Sequence, residues 1–184
     1  MRYVVIAAAV VVLLVLLSVV LAYNGLVRRR NQVDNAWAQV DVQLRRRYDL
    51  IPNLVATVQG YAGHERATLD AVARARAQTM NAGGTAELGN AEANLTGALR
   101  GLLAVAESYP DLKANGNFLQ LQEELAHTED RTAYARQYFN DAVLSYNNAT
   151  GVFPRNLVAA ATGFRPREYF QVDGPASGPV SVRF

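Results

Sequence analysis

The chain has 184 residues, a net charge of +2 and no cysteine. That length holds one domain, and the missing cysteines exclude thiol nucleophiles and disulfides while leaving the redox compartment undecided. All but one of the 18 basic residues are arginine, Lys113 being the exception. Beyond two arginine triplets the charges are mixed along the chain, which reads as solvated helix faces and argues against a nucleic-acid partner.

From Tyr3 to Ala22 there is no charge and a single hydroxyl, Ser18. At helical rise this run spans roughly 30 Å, the hydrocarbon thickness of a bilayer. A buried core helix would carry a polar stripe, and none is present. Val20-Leu21-Ala22 has the small residues of a signal-peptide cleavage site. However, the apolar run is longer than an ordinary h-region, and Arg2 with the amino terminus is its only positive flank. We therefore expect an uncleaved transmembrane anchor over residues 1–23. Arg28, Arg29 and Arg30 follow it at once, as membrane-interface residues facing lipid headgroups. With Arg45, Arg46 and Arg47 further on, they outweigh the charge before the span. The bias predicts a short N-terminus outside and a cytoplasmic C-terminal domain.

Past the anchor, apolar residues recur at helical spacing. Leu26, Val33, Trp37, Val40 and Leu44 form one seam, on a helix that can run directly on from the span. A second helix is predicted from Asp49 as N-cap, with Pro52 in its first turn. Its stripe is Ile51, Val55, Val58, Ala62, Leu69 and Val72, ending near Asn81-Ala82-Gly83-Gly84. A third is predicted to be capped by Thr85, with Leu88, Leu95, Leu99, Leu102 and Ala106 inward, until Pro110 breaks it. The fourth carries Phe118, Leu121, Leu125, Thr128, Thr132, Ala135, Phe139, Ala142 and Tyr146, with Asn117 and Gln120 as a cap pair. This is the pattern of an all-α fold: a transmembrane helix, then an antiparallel bundle of about four long helices over residues 24–164. The heptad spacing suggests coiled-coil-like packing and leaves room for a homo-oligomer. A short helix is predicted from Arg155 to Thr162, closed by Gly163. Residues 165–184 then read as an irregular Gly/Pro-containing tail, whose "EYFQV" and "VSVRF" could add as edge strands to a neighbour.

The chemical motifs are incomplete. "HERAT" at His64 starts like a zinc-protease helix but has Thr68 where the second histidine is required. Glu124-x-x-His127 has the spacing of di-iron bundles with half the ligand set. No serine lies in a nucleophile turn, and Gly83-Gly84 lacks the Lys of a phosphate loop. No catalytic residue, metal or cofactor is expected. Arg45, Arg46, Arg47, Asn53, His64 and Glu65 are the candidate partner-binding residues. The bland alternative gives the arginines a helix-end role and has Asn53, Gln59 and His64 fix bundle register through buried hydrogen bonds.

"YNGLVRRRNQVDNAWAQVDVQLRRRYDLIPNLVATVQGYAGHE", "AVAESYPDLKANGNFLQLQEEL", "TEDRTAYARQYFNDAV" and "YNNATGVFPRNLVAAATGF" together resemble the LemA family, over about Tyr23 to Phe170. The resemblance implies a bacterial inner-membrane, single-pass protein with a cytoplasm-facing helical domain, and it brings no activity, cofactor or catalytic residue. The expectation is a non-enzymatic scaffold or adaptor that self-associates and meets cytoplasmic protein partners. A membrane-organising oligomer is the alternative, and a metal-dependent enzyme centred on Glu124 and His127 comes third.

Overall fold

A computed structural model describes residues 1–171 of the chain. Among them there are six helices and no strand: α1 (Arg2–Tyr61), α2 (Arg66–Asn81), α3 (Thr85–Glu107), α4 (Pro110–Lys113), α5 (Gly116–Gly151) and α6 (Arg155–Thr162). The fold is all-α. By length and composition α1 contains one segment able to cross a membrane, and none of that segment is buried in the protein.

Packing divides the chain into two units. One comprises Met1–Gln39 and Arg136–Glu168, the other Val40–Ala135 with residues 169–171. In the first unit, α1 and α5 run antiparallel. Trp37 packs its ring against Phe139, centroids 5.2 Å apart, and nearer the apolar segment Leu26 shares an apolar core with Ala149 of α5 and Ala159 of α6. Val158 and Phe164 close that core. Helix α6 stops where expected, since Gly163 adopts the left-handed conformation (φ 77°) that glycine takes without steric cost.

The chain beyond Gly163 forms no strand as far as Gln171, and Asn147 supplies one reason. Its side-chain amide donates to the carbonyl of Arg167 (2.9 Å) and accepts from the N–H of the same residue (2.8 Å). Tyr146 donates its hydroxyl to the carbonyl of Arg165 at 3.0 Å. A side-chain amide thus satisfies the backbone groups that a neighbouring strand would otherwise take. The expected "VSVRF" strand and the rest of the tail lie outside the described residues.

The second unit corrects the predicted helix boundaries. Asp49 caps nothing, because α1 continues through Pro52 to Tyr61. An internal proline removes the N–H that would bond the carbonyl four residues back, here that of Tyr48. Arg76 of α2 fills the gap, its Nε donating to the Tyr48 carbonyl at 2.8 Å. The true break falls at Ala62–Glu65, between α1 and α2. Replacing Arg76 by alanine leaves that carbonyl without its donor and is expected to cost about 1–3 kcal/mol in denaturant unfolding of the full-length protein.

Two caps also move. Glu87 reaches back to the N–H of Gly83 at 2.9 Å, and Gly84 rather than Thr85 is the cap position of α3. Asn115, not Asn117, caps α5, its Oδ1 accepting the N–H of Phe118 at 3.0 Å. Within this unit α1 and α3 run parallel. Arg47 reaches Glu92 near one end of the pair, and Glu65, just past α1, meets the Tyr109 hydroxyl near the other.

Candidate functional site

The seam of α1 that holds Val40 and Leu44 continues, at steps of three and four, onto Arg47, Tyr48 and Ile51, and all five are buried. The matching seam of α3 runs through Leu88, Glu92, Leu95 and Leu99, also all buried. Each helix therefore carries a charge where its periodicity calls for an apolar residue, and the two charges meet. Arg47 Nη1 donates to Glu92 Oε2 at 3.0 Å, with Arg47 5% and Glu92 2% exposed. Tyr48 donates its hydroxyl to the other carboxylate oxygen at 2.6 Å. Arg47 Nη2 donates to Thr96 Oγ1 at 3.0 Å, one turn along α3, and lies 3.9 Å from Glu129 of α5.

Both oxygens of Glu92 are therefore engaged, and the side chain is almost wholly shielded from solvent. Burial, and then the hydrogen bond and charge of Glu92, push the Tyr48 hydroxyl well above its ordinary pKa of 10.0. Burial also raises Tyr146 in the other unit. The sign of the pH effect follows from linkage. A raised folded pKa leaves its stabilisation intact below the unfolded value and loses it as pH rises beyond that value. Stability is thus expected to fall from about pH 10 upward, and Tyr48→Phe should flatten that fall in a denaturation series at increasing pH.

Beside this node lies a pocket of about 160 Å³. Arg47, Thr96 and Glu129 line its polar side, and Leu54, Leu99 and Leu125 its apolar side. A wider, shallower groove of about 510 Å³ lies between α1 and α5 in the same unit, lined by Arg46, Asn53 and Thr57 on one side and Asn117, Gln120 and Glu124 on the other.

The candidate residues are distributed as follows. Arg45 is exposed and pairs with Asp41 on its own helix at 2.8 Å. Arg46 bridges to Glu124 at 2.8 Å across the groove that Asn53 also lines. Arg47 points inward to Glu92, unlike its two neighbours. None of the three caps a helix end, since α1 runs on to Tyr61. Asn53, Gln59 and His64 are exposed, so they make no buried register contact. Glu65 accepts from the Tyr109 hydroxyl at 3.4 Å. Arg28 and Arg30 are exposed, while Arg29 donates to the Gly25 carbonyl at 3.4 Å. Arg30 stacks over Phe164, 5.3 Å from its centroid.

Glu124 and His127 turn to different partners, Arg46 and Glu123 respectively. Among the described residues no group of three or more His, Cys, Asp or Glu is placed to hold a metal ion. Sequence reasoning missed the Arg47–Glu92–Tyr48 node, although one more step along the α1 seam lands on Arg47 and Tyr48, and Glu92 fills the gap between Leu88 and Leu95 of α3.

Comparison with known proteins gives three kinds of kinship. A family model described as the LemA family matches residues 36–184. Magnetosome protein MamQ 2 of Paramagnetospirillum magneticum is 24% identical over 191 residues, covering 90% of this chain and 70% of the relative. Magnetosome protein MamQ of Magnetospirillum gryphiswaldense has the same identity and coverage. Protein LemA of Metamycoplasma hominis is 28% identical over 140 residues, covering 74% of this chain and 63% of that protein.

Proposed function

This chain belongs to the LemA family, and from that membership and its single bilayer-length helix we propose a membrane-anchored helical scaffold or adaptor that works by binding, without chemistry of its own. The observation that carries this reading is the buried node. Its carboxylate and the two terminal guanidinium nitrogens are engaged with each other and with Tyr48 and Thr96, which suits a rigid platform better than a reacting site. On this reading α1 holds the protein in the bacterial inner membrane with its short N-terminus outside, as the arginine bias supports. The groove with Arg46 and Asn53 meets a cytoplasmic protein partner, with His64 and Glu65 on the exposed turn beyond α1.

An exposed ion pair such as Arg46–Glu124 contributes at most about 1 kcal/mol. Arg46→Glu is therefore expected to abolish cross-linking to that partner in cell membranes while leaving the unfolding midpoint nearly unchanged. An unaltered cross-linking pattern would remove the groove from the proposal.

Self-association is part of the same reading, since long seams serve a second copy as well as an intramolecular neighbour. Light scattering of the full-length protein in mild detergent, beside a form starting at Asn24, is expected to give a defined oligomer for the full-length protein. Monomers in both samples would refute assembly. A second reading, an oligomer that organises the bilayer around α1 and Arg28–Arg30, draws support from the likeness to proteins named for the magnetosome. Tubulation or clustering of liposomes by the full-length protein, lost on deletion of residues 1–22, would favour it.

A further inference from the structure

Helix α6 and the turn before it present an apolar edge that is exposed among the described residues. Val152 is 60%, Phe153 73% and Leu157 61% exposed, and Ala160 and Ala161 are exposed on the same side. Leu157, Ala160 and Ala161 follow the helical spacing of one face of α6, and Val152 and Phe153 lie in the turn before it. The opposite face is spent on the protein, with Ala159 buried and Val158 packed against the core around Leu26.

The level of this edge along α1 follows from two contacts in the same unit. Trp37 meets Phe139 and Leu26 shares a core with Ala149, so descending α1 towards the membrane matches ascending α5 almost residue for residue. Continuing in that register brings Val152 and Phe153 level with Tyr23, just past the apolar run that ends at Ala22. Tyr23 itself touches Phe164, ring centroids 5.7 Å apart. At helical rise Leu26 stands only about 5 Å beyond Tyr23, so α6 sits at the depth of the headgroups.

The charges flanking this edge have one sign. From Ala142 to Arg167 there is no acidic residue, while Arg155 and Arg165 are present; Arg167 is already paired with Asp34 at 3.1 Å. Before Asp34 the chain has none either, while Arg28, Arg29 and Arg30 are. An exposed apolar edge rimmed by cations, at the level where a membrane span ends, has the composition of an interfacial helix.

We propose that the α5–α6 turn and α6 form a second membrane contact: Val152, Phe153 and Leu157 insert among the lipids of the same leaflet that α1 leaves, and the surrounding arginines meet anionic headgroups. The occupant of this apolar edge is the bilayer, by continuity with the span and by charge complementarity. The contact fixes the tilt of α1 by giving the anchor a second point of attachment.

The proposal rests on α1 spanning the bilayer, and the test separates the two. The natural chain has no cysteine, so single cysteines at Phe153→Cys, Leu157→Cys, Tyr138→Cys and Leu14→Cys of the full-length protein can each carry an NBD fluorophore. The proteins are reconstituted in vesicles of phosphatidylethanolamine and phosphatidylglycerol containing nitroxide lipids labelled at the headgroup or deep in the acyl chain. The labels at 153 and 157 are expected to be blue-shifted and quenched most by the headgroup nitroxide, the label at 138 to remain water-like, and the label at 14 to be quenched by the deep nitroxide. Adding Phe153→Asp is expected to remove the shift at 157 without touching the label at 14. Water-like labels at 153 and 157 beside a deeply quenched label at 14 would overturn the second contact and leave the anchor standing. Shielding from water without lipid quenching would also overturn it, since a second copy would then cover the edge. An unquenched label at 14 would overturn anchor and contact together.

Discussion

Glu92→Ala is expected to destabilise the protein by about 3–5 kcal/mol, because it leaves the buried guanidinium of Arg47 without its counter-charge. Thr96 is neutral and Glu129 is a half-exposed residue 3.9 Å away, so neither replaces the lost carboxylate. Tyr48 loses its acceptor in the same step. Denaturant unfolding of the full-length protein in detergent, followed by helical circular dichroism, reads the effect. The companion variant is Arg47→Met with Glu92→Leu. Removing both charges together is expected to cost much less than Glu92→Ala, since apolar side chains of similar volume often replace a buried ion pair at little cost. If the double variant were as unstable as the single one, the sites would be intolerant for reasons of shape, and the charge argument would fail.

Leu26→Ala should have an effect of comparable size in the other unit, about 2–5 kcal/mol for a fully buried leucine truncated to a methyl group. Leu26 is wholly buried and forms a core with Ala149, Ala159, Val158 and Phe164. With Ala149 and Ala159 as its buried partners the site has little material to collapse into the void. Helix α6 is only eight residues long, far below the length at which a helix is stable alone. Its order depends on that core. Hydrogen exchange should therefore show amide protection lost over Leu157 to Phe164, with α2 and α3 unchanged. Uniform loss across all helices would mean that the core of α6 is energetically inseparable from the rest.

Local signals carried much of this fold and little of its chemistry. The uncharged run from Tyr3 to Ala22, the break at Pro110, the heptad-like seam of α5 and the stop at Gly163 are properties of short windows, and the structure agrees with each. The boundary between the predicted first and second helices failed for a physical reason. Asp49 followed by Pro52 has the local form of a helix start, and only a side chain from α2 overrides it. Asn115 lay hidden as a cap because Asn117 and Gln120, two residues on, make an equally plausible pair. Arg47 was indistinguishable in composition from Arg45 and Arg46. Its partner stands 45 positions away on another helix, and no periodicity within α1 can name it. What the pattern did contain was a seam crossed by a charge on each of two helices, a local conflict that only pairing can relieve.

The proline in α1 bears on the order in which the chain assembles. When residues up to Tyr61 have been synthesised, the carbonyl of Tyr48 has no intrahelical donor and stays hydrated, so the N-terminal helix begins as two helical stretches joined at a weak point. Arg76 arrives later in the chain, and its bond to that carbonyl closes a loop between the two. Closing such a loop costs chain entropy before any contact offsets it. The apolar stretch, complete well before that moment, needs nothing from α2 to form in a bilayer, where every backbone group must find its partner within the helix. An apolar stretch entering a bilayer would thus need no contact with α2, whose docking supplies the donor that the Tyr48 carbonyl lacks within α1.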